Sequence, residues 1–133
     1  MNSSTIAFIA VLVLVFVFVL RPMLFGGPRI KAMEAQEKLK SGEAVLVDVR
    51  EPGEWLSGVA KPARLLPMSD LGADRRQWKP FLAENKGKLI IVYCASGMRS
   101  GSVCSTLKKE GYKVANLGGF GSWSGAGLPT RVP

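Results

Sequence analysis

Two short apolar runs do most to limit the architectures open to this chain. Residues 44–49 (Ala-Val-Leu-Val-Asp-Val) and 88–93 (Lys-Leu-Ile-Ile-Val-Tyr) are rich in β-branched side chains and lack the alternation of a half-exposed strand. Such runs are typical of strands buried on both faces of a parallel sheet, whose crossovers lay helices over each side. Residues 113–117 make a third, weaker candidate strand and Leu65-Leu66 a short fourth. Between them lie helical stretches at 77–84 and 100–110. Another is expected at 30–40, where Ala32, Ala35, Gln36 and Leu39 fall at helical spacing before Ser41-Gly42 ends it. Strand and helix alternate, so the expected fold class is α/β, a parallel sheet flanked by helices on both faces. Ligands of such sheets bind at the carboxyl ends of the strands, which directs attention to Asp48 through Glu51 and to Cys94 onward.

The amino-terminal segment belongs to a different environment. Residues 6–20 are uninterruptedly apolar; at helical rise they cover about 22 Å, short of a hydrocarbon core of roughly 30 Å. Adding residues 3–5 and Met23, Leu24 and Phe25, with Arg21 reaching back to the headgroups, brings the segment to spanning length. The expected organisation is a membrane anchor helix over 1–25, a hinge over 26–29 containing Gly26-Gly27-Pro28, and one domain over 30–133. A cleaved signal peptide would start with a basic region and end in a small-x-small site; residues 1–5 carry no Lys or Arg, and no such site follows Leu20. Arg21, Arg29 and Lys31 flank the run on its C-terminal side, so the positive-inside rule puts the domain in the cytoplasm.

Composition removes whole classes of chemistry. With no histidine, Ser-His-Asp and Cys-His catalysis and His-ligated metals are excluded. The two cysteines, ten positions apart, match neither a CxxC redox pair nor a zinc knuckle and are expected as free thiols. No metal or cofactor is called for. The net charge of +8 is spread over scattered lysines and arginines, with no basic stripe or nucleic-acid motif, so no nucleic-acid partner is expected. A basic surface facing anionic lipid or anionic substrates fits better.

The segment Cys94-Ala95-Ser96-Gly97-Met98-Arg99-Ser100 follows a buried strand and opens a helix. Small residues at 95–97 let the backbone wrap closely, Gly97 suits a positive φ, and the loop N–H groups can form an anion nest. Ser100 is placed to cap the next helix, whose positive end faces that nest. A cysteine at its mouth, near Arg99, should titrate below an ordinary thiol and become a thiolate without histidine. Cys104, at helical spacing with Val103 and Leu107, is expected in the core.

These residues resemble the rhodanese family of sulfurtransferases. The resemblance rests on Val47-Asp48-Val49-Arg50-Glu51-Pro52 with Glu54-Trp55, on the loop from Cys94 to Ser100, and on Gly118-Gly119-Phe120-Gly121-Ser122-Trp123 through Ala126-Gly127-Leu128-Pro129. It implies a rhodanese-like parallel sheet and transfer of sulfane sulfur from thiosulfate or a persulfide, through a Cys94 persulfide, to a thiol, cyanide or an acceptor protein. By position, Cys94 would be the nucleophile; Ala95, Ser96, Gly97, Met98, Arg99 and Ser100 would form its cradle, with Arg99 binding the anionic donor or shaping the loop. Asp48, Arg50 and Glu51 would support the site from behind, Arg50 pairing with Asp48 or Glu51, and Trp123 would pack in the core. A single-pass protein of the bacterial inner membrane is the implied setting. Where the family shows Gly-His-Ile-Pro-Gly-Ala, this chain has Gly58-Val59-Ala60-Lys61-Pro62-Ala63, which leaves the shape of that loop open. Two rivals remain. Cysteine phosphatases and arsenate reductases have a longer spacer between Cys and Arg than the four residues here. A tethered rhodanese-fold module that only binds a membrane partner is the other.

Overall fold

In the computed structural model, which describes residues 1–21 and 28–133, the amino-terminal run is helical. Helix α1 spans Ser3–Val15 and continues as a π-type turn over Phe16–Leu20. Asn2 caps it, its Oδ1 accepting from the Thr5 N–H at 2.8 Å. The 18 residues Ser3–Leu20 have a mean hydropathy of 2.8 and none is buried, so the helix is apolar all round and long enough to cross a membrane. The expectations for Met23, Leu24 and Phe25, and for Gly26 and Gly27 of the hinge, lie outside the described residues.

The domain runs in the order α2 (Ala32–Lys40), β1 (Ala44–Asp48), α3 (Pro52–Trp55), β2 (Val59–Ala60), β3 (Arg64–Leu65), α4 (Met68–Leu71), α5 (Trp78–Glu84), β4 (Leu89–Cys94), α6 (Met98–Lys109), β5 (Val114–Gly119), α7 (Phe120–Ser124) and β6 (Thr130–Arg131). Four strands form a parallel sheet in the order β3-β1-β4-β5, with Val47 opposite Val92 and Ile91 opposite Ala115. Both faces are covered. On one, Val47, Ile90, Val92 and Cys94 pack against Trp78, Phe81, Val103 and Leu107. On the other, Leu46, Ile91, Tyr93 and Leu117 meet Ala35, Trp123 and Leu128. Burial on both sides is why β1 and β4 show no polar alternation. Cys104 and Trp123 lie in this core, as expected.

Several short elements had no counterpart in the sequence reading. Helices α3, α4 and α7 have four or five residues, and β2 pairs antiparallel with β6 over two residues. Elements so short have no hydrophobic period of their own and are set by tertiary bonds. The Gly58 to Ala63 loop gains its shape this way. The Lys61 N–H donates to Pro129 O at 2.9 Å, and Arg131 donates from Nε to Lys61 O at 3.0 Å and from Nη2 to Ala63 O at 2.9 Å. Pro28 and Arg29, expected in the hinge, instead line the edge of the sheet: the Asn116 N–H donates to Pro28 O at 2.8 Å and the Ile30 N–H to Asn116 O at 3.1 Å.

At the carboxyl end of β1, Asp48 is fully buried and Arg50 nearly so. Arg50 donates to Asp48 from Nε at 3.1 Å and from Nη2 at 2.8 Å, and Nη2 also donates to Gly58 O at 2.8 Å. Its guanidinium lies 4.8 Å from the centre of the Phe120 ring, a cation-π contact. Of the two partners expected for Arg50 the structure selects Asp48; Glu51 instead accepts from the Ser69 hydroxyl at 3.0 Å. Removing one member of such a pair strands the other charge without water. Asp48→Ala is therefore expected to destabilise the chain by about 3–5 kcal/mol, read as a lowered urea midpoint of the detergent-solubilised protein by tryptophan fluorescence.

Candidate active site

Cys94 is the last residue of β4, and its side chain is completely buried. The loop that follows can fold back over the sheet because β5 ends in glycine. A Cβ on Gly119 would stand 2.4 Å from Ala95 O, so only glycine admits the loop at that height. Gly97 then turns the chain with φ +95°, and α6 begins at Met98. This start corrects the expected role of Ser100. It does not cap the helix; the left-handed turn at Gly97 starts α6 earlier, and Ser100 sits within its first turn with the hydroxyl directed inward.

The result is a ring of donors around one sulfur. The Gly97 N–H donates to Cys94 Sγ at 3.0 Å, and Ser100 Oγ lies 3.4 Å from it. Ser100 Oγ is also 2.8 Å from Asn116 Oδ1. A hydroxyl has one proton, so Ser100 donates along the shorter contact when Cys94 is a thiol and can turn it to the sulfur when that becomes anionic. Burial alone would push the Cys94 thiol up. The Ser100 hydroxyl and the N–H groups of Ser100, Ser96 and Gly97 outweigh it, and the thiol lies below its ordinary value. Cys104 has no such donors, and burial pushes its thiol up to about 12.

Asn116 is the residue the sequence reading missed. Its Oδ1 accepts from Ser100 Oγ and from the Gly118 N–H at 2.9 Å, and its Nδ2 donates to Gly97 O at 3.1 Å. One amide thereby fixes both ends of the cradle. The available signal was an asparagine interrupting the apolar β5 run Val114-Ala115-Asn116-Leu117.

The structure divides the remaining expected site residues. Ala95, Ser96 and Met98 are exposed at the rim, Met98 at 81%. Arg99 is taken up by Glu54 in a two-pronged pair at 2.5 and 2.8 Å. Hydrogen bonding to Arg99, aided by the Glu51 N–H, holds the Glu54 carboxyl down to about 2, so the pair stays ionised at neutral pH. Asp48 and Arg50 stand behind the loop and connect to it through this pair, Arg50 Nη1 donating to Glu54 O at 3.4 Å. Glu51 and Glu54 close a capping box around α3, a pattern present in the sequence as Glu51-Pro-Gly-Glu54. Among the described residues no cluster of His, Cys, Asp or Glu could hold a metal ion.

The profile of the rhodanese-like domain matches residues 31–126. The chain is 37% identical over 101 residues to the uncharacterised protein YqhL of Bacillus subtilis (strain 168), covering 73% of this chain and 75% of that one. It is 36% identical over 101 residues to a sulfurtransferase of Allochromatium vinosum, covering 74% and 89%. A solved rhodanese-related protein from Thermoplasma volcanium shares the fold with a TM-score of 0.66 at 31% identity, over 80% of this chain and 99% of that one. With the profile covering both the Cys94 loop and the Asp48 to Glu54 segment, the chain belongs to the rhodanese-like domain family.

Proposed function

We propose that this protein is a sulfurtransferase in which Cys94 takes up sulfane sulfur as a persulfide and hands it on. The observation that carries the reading is the Gly97 N–H 3.0 Å from a buried sulfur whose thiol is held low. The Cys94 thiolate attacks the outer sulfur of thiosulfate; a Cys94–sulfur bond forms, the donor's S–S bond breaks, and sulfite leaves with the electron pair. With a persulfide donor a thiolate leaves instead. An acceptor thiolate or cyanide then attacks the terminal sulfur, and Cys94 departs as the thiolate it began as. Both departing and attacking states of Cys94 are anions, so the same donors serve both half-reactions.

Kinship with a protein named a sulfurtransferase supports this reading. The engagement of Arg99 by Glu54 speaks against phosphatase chemistry, which would turn that cation toward a phosphate. Exposed Met98 offers an apolar rim to a thiol acceptor or acceptor protein. We place the domain, residues 30–133 with Pro28 and Arg29 along its sheet edge, on the cytoplasmic face of a bacterial inner membrane, joined through the 26–29 segment to the anchor at 1–25. The supports are the apolar helix Ser3–Leu20 and the basic residues Arg21, Arg29 and Lys31 after it.

Three measurements test this. The intact mass of the full chain should rise by one sulfur after thiosulfate and return on adding cyanide; Cys94→Ser should abolish the gain and Cys104→Ser should leave it, and a gain persisting in Cys94→Ser would refute the mechanism. Alkylation of Cys94 against pH should show a midpoint below that of a free thiol, moved upward in Ser100→Ala; the variant's deficit should therefore be largest near neutral pH and vanish in alkali. In intact cells a membrane-impermeant maleimide should not label Cys94 until the membrane is opened, and prompt labelling would reverse the orientation.

A further inference from the structure

An anionic donor needs a positive charge at the loop, and the two arginines named for the site are already spent. Arg50 is locked to Asp48 and Arg99 to Glu54. A third arginine stands against the same loop. Arg29 lies beside Asn116, its backbone fixed by the two bonds that Asn116 makes to Pro28 O and from the Ile30 N–H. Its guanidinium crosses the junction of the active-site loop with β5: a Cβ built on Gly97 would come within 3.6 Å of Arg29 Nη2, and one on Gly118 within 4.0 Å.

We infer that Arg29 is the donor-recognition residue of this site, presenting its charge to the oxyanion end of a sulfonate-type sulfur donor such as thiosulfate. The inference rests on the sulfur-transfer reading and deepens it. Gly97 stands between the two groups, its N–H 3.0 Å from Cys94 Sγ and its Cα side facing Arg29. The sulfur and the guanidinium thus share Gly97 as a neighbour, and an anionic group held at the sulfur lies within the field of that charge. Arg29 is solvent-exposed and forms no ion pair among the described residues, and residues 22–27 contain no acid that could neutralise it. The planar fork of a guanidinium matches two oxygens of a trioxosulfur group, which a spherical ammonium does less well. A persulfide donor carries no such oxyanion and draws less from it.

Charge at the loop can be read without any sulfur transfer. In full-length protein carrying Cys104→Ser, Cys94 is alkylated with anionic iodoacetate and with neutral iodoacetamide at one pH. The ratio of the two rates should fall about threefold in Arg29→Gln, the effect of one unit charge at close range in a water-facing site. It should be largely retained in Arg29→Lys, and high salt should erase the difference. In sulfur loading, Arg29→Gln should raise the KM for thiosulfate with kcat little changed. An unchanged ratio in Arg29→Gln, or equal slowing with both reagents, would overturn the inference, since a merely structural arginine would act on both alike. A ratio that responds to Arg29 in a protein that never gains sulfur would leave the charge site standing and sink the sulfur-transfer reading instead.

Discussion

The active-site loop depends on one buried amide. Asn116 is 5% exposed in a strand whose neighbours are apolar, and an unpartnered carboxamide there would be costly. It is satisfied by groups of the Cys94 loop and the β5 turn: the Ser100 hydroxyl, the Gly118 N–H and Gly97 O. The dependence runs both ways. The loop cannot move without stranding a buried polar group, and Asn116 has its partners only while the loop stays in place. The precision needed to aim the Gly97 and Ser100 donors at one sulfur thus comes from a residue that does not touch that sulfur.

Charge is arranged to the same end. A thiolate in a chain without histidine needs stabilisation from fixed dipoles, and burial makes those dipoles count for more. Two nearby arginines are cancelled in pairs, Arg50 with Asp48 and Arg99 with Glu54, and these pairs act as struts between β1, α3 and α6. Glu54 is the joint between them, accepting from Arg99 through its carboxylate and from Arg50 through its carbonyl. The contrast of the two cysteines isolates the effect. Both are completely buried, yet Cys94 lies below the ordinary thiol value and Cys104 is pushed up to about 12. Burial is common to both; the donors are not.

What was legible in the sequence follows from the range of the interactions involved. The apolar runs at 44–49 and 88–93 declare buried parallel strands because their apolar side chains fall into one or the other of the two helix-covered cores. Gly97 declares its turn because few other residues take φ +95° without strain. Ser100 was misplaced as a cap because a serine near a helix start has two uses, and the choice depends on where α6 begins. Arg99 was expected either to bind the donor or to shape the loop, and its partner Glu54, 45 positions earlier, is one that no local pattern names. Asn116 sits on a different strand from Cys94, so no local pattern joins them. Local chemistry could be read; pairings made across the sheet could not.

The same amide is tied to the edge of the sheet. An open parallel sheet leaves the outer side of its last strand with unpaired N–H and C=O groups, which must find partners or be screened. Here Pro28 and Ile30 supply partners to β5 at Asn116, the residue whose side chain holds the cradle. Residues 28–30 therefore complete the sheet edge at the position where the Cys94 loop is fixed. A shift of this segment along β5 would disturb the backbone of Asn116 and, through its amide, the donors facing Cys94. The Pro28–Ile30 segment and the Cys94 loop thus meet at a single residue, Asn116, through its backbone on one side and its side-chain amide on the other.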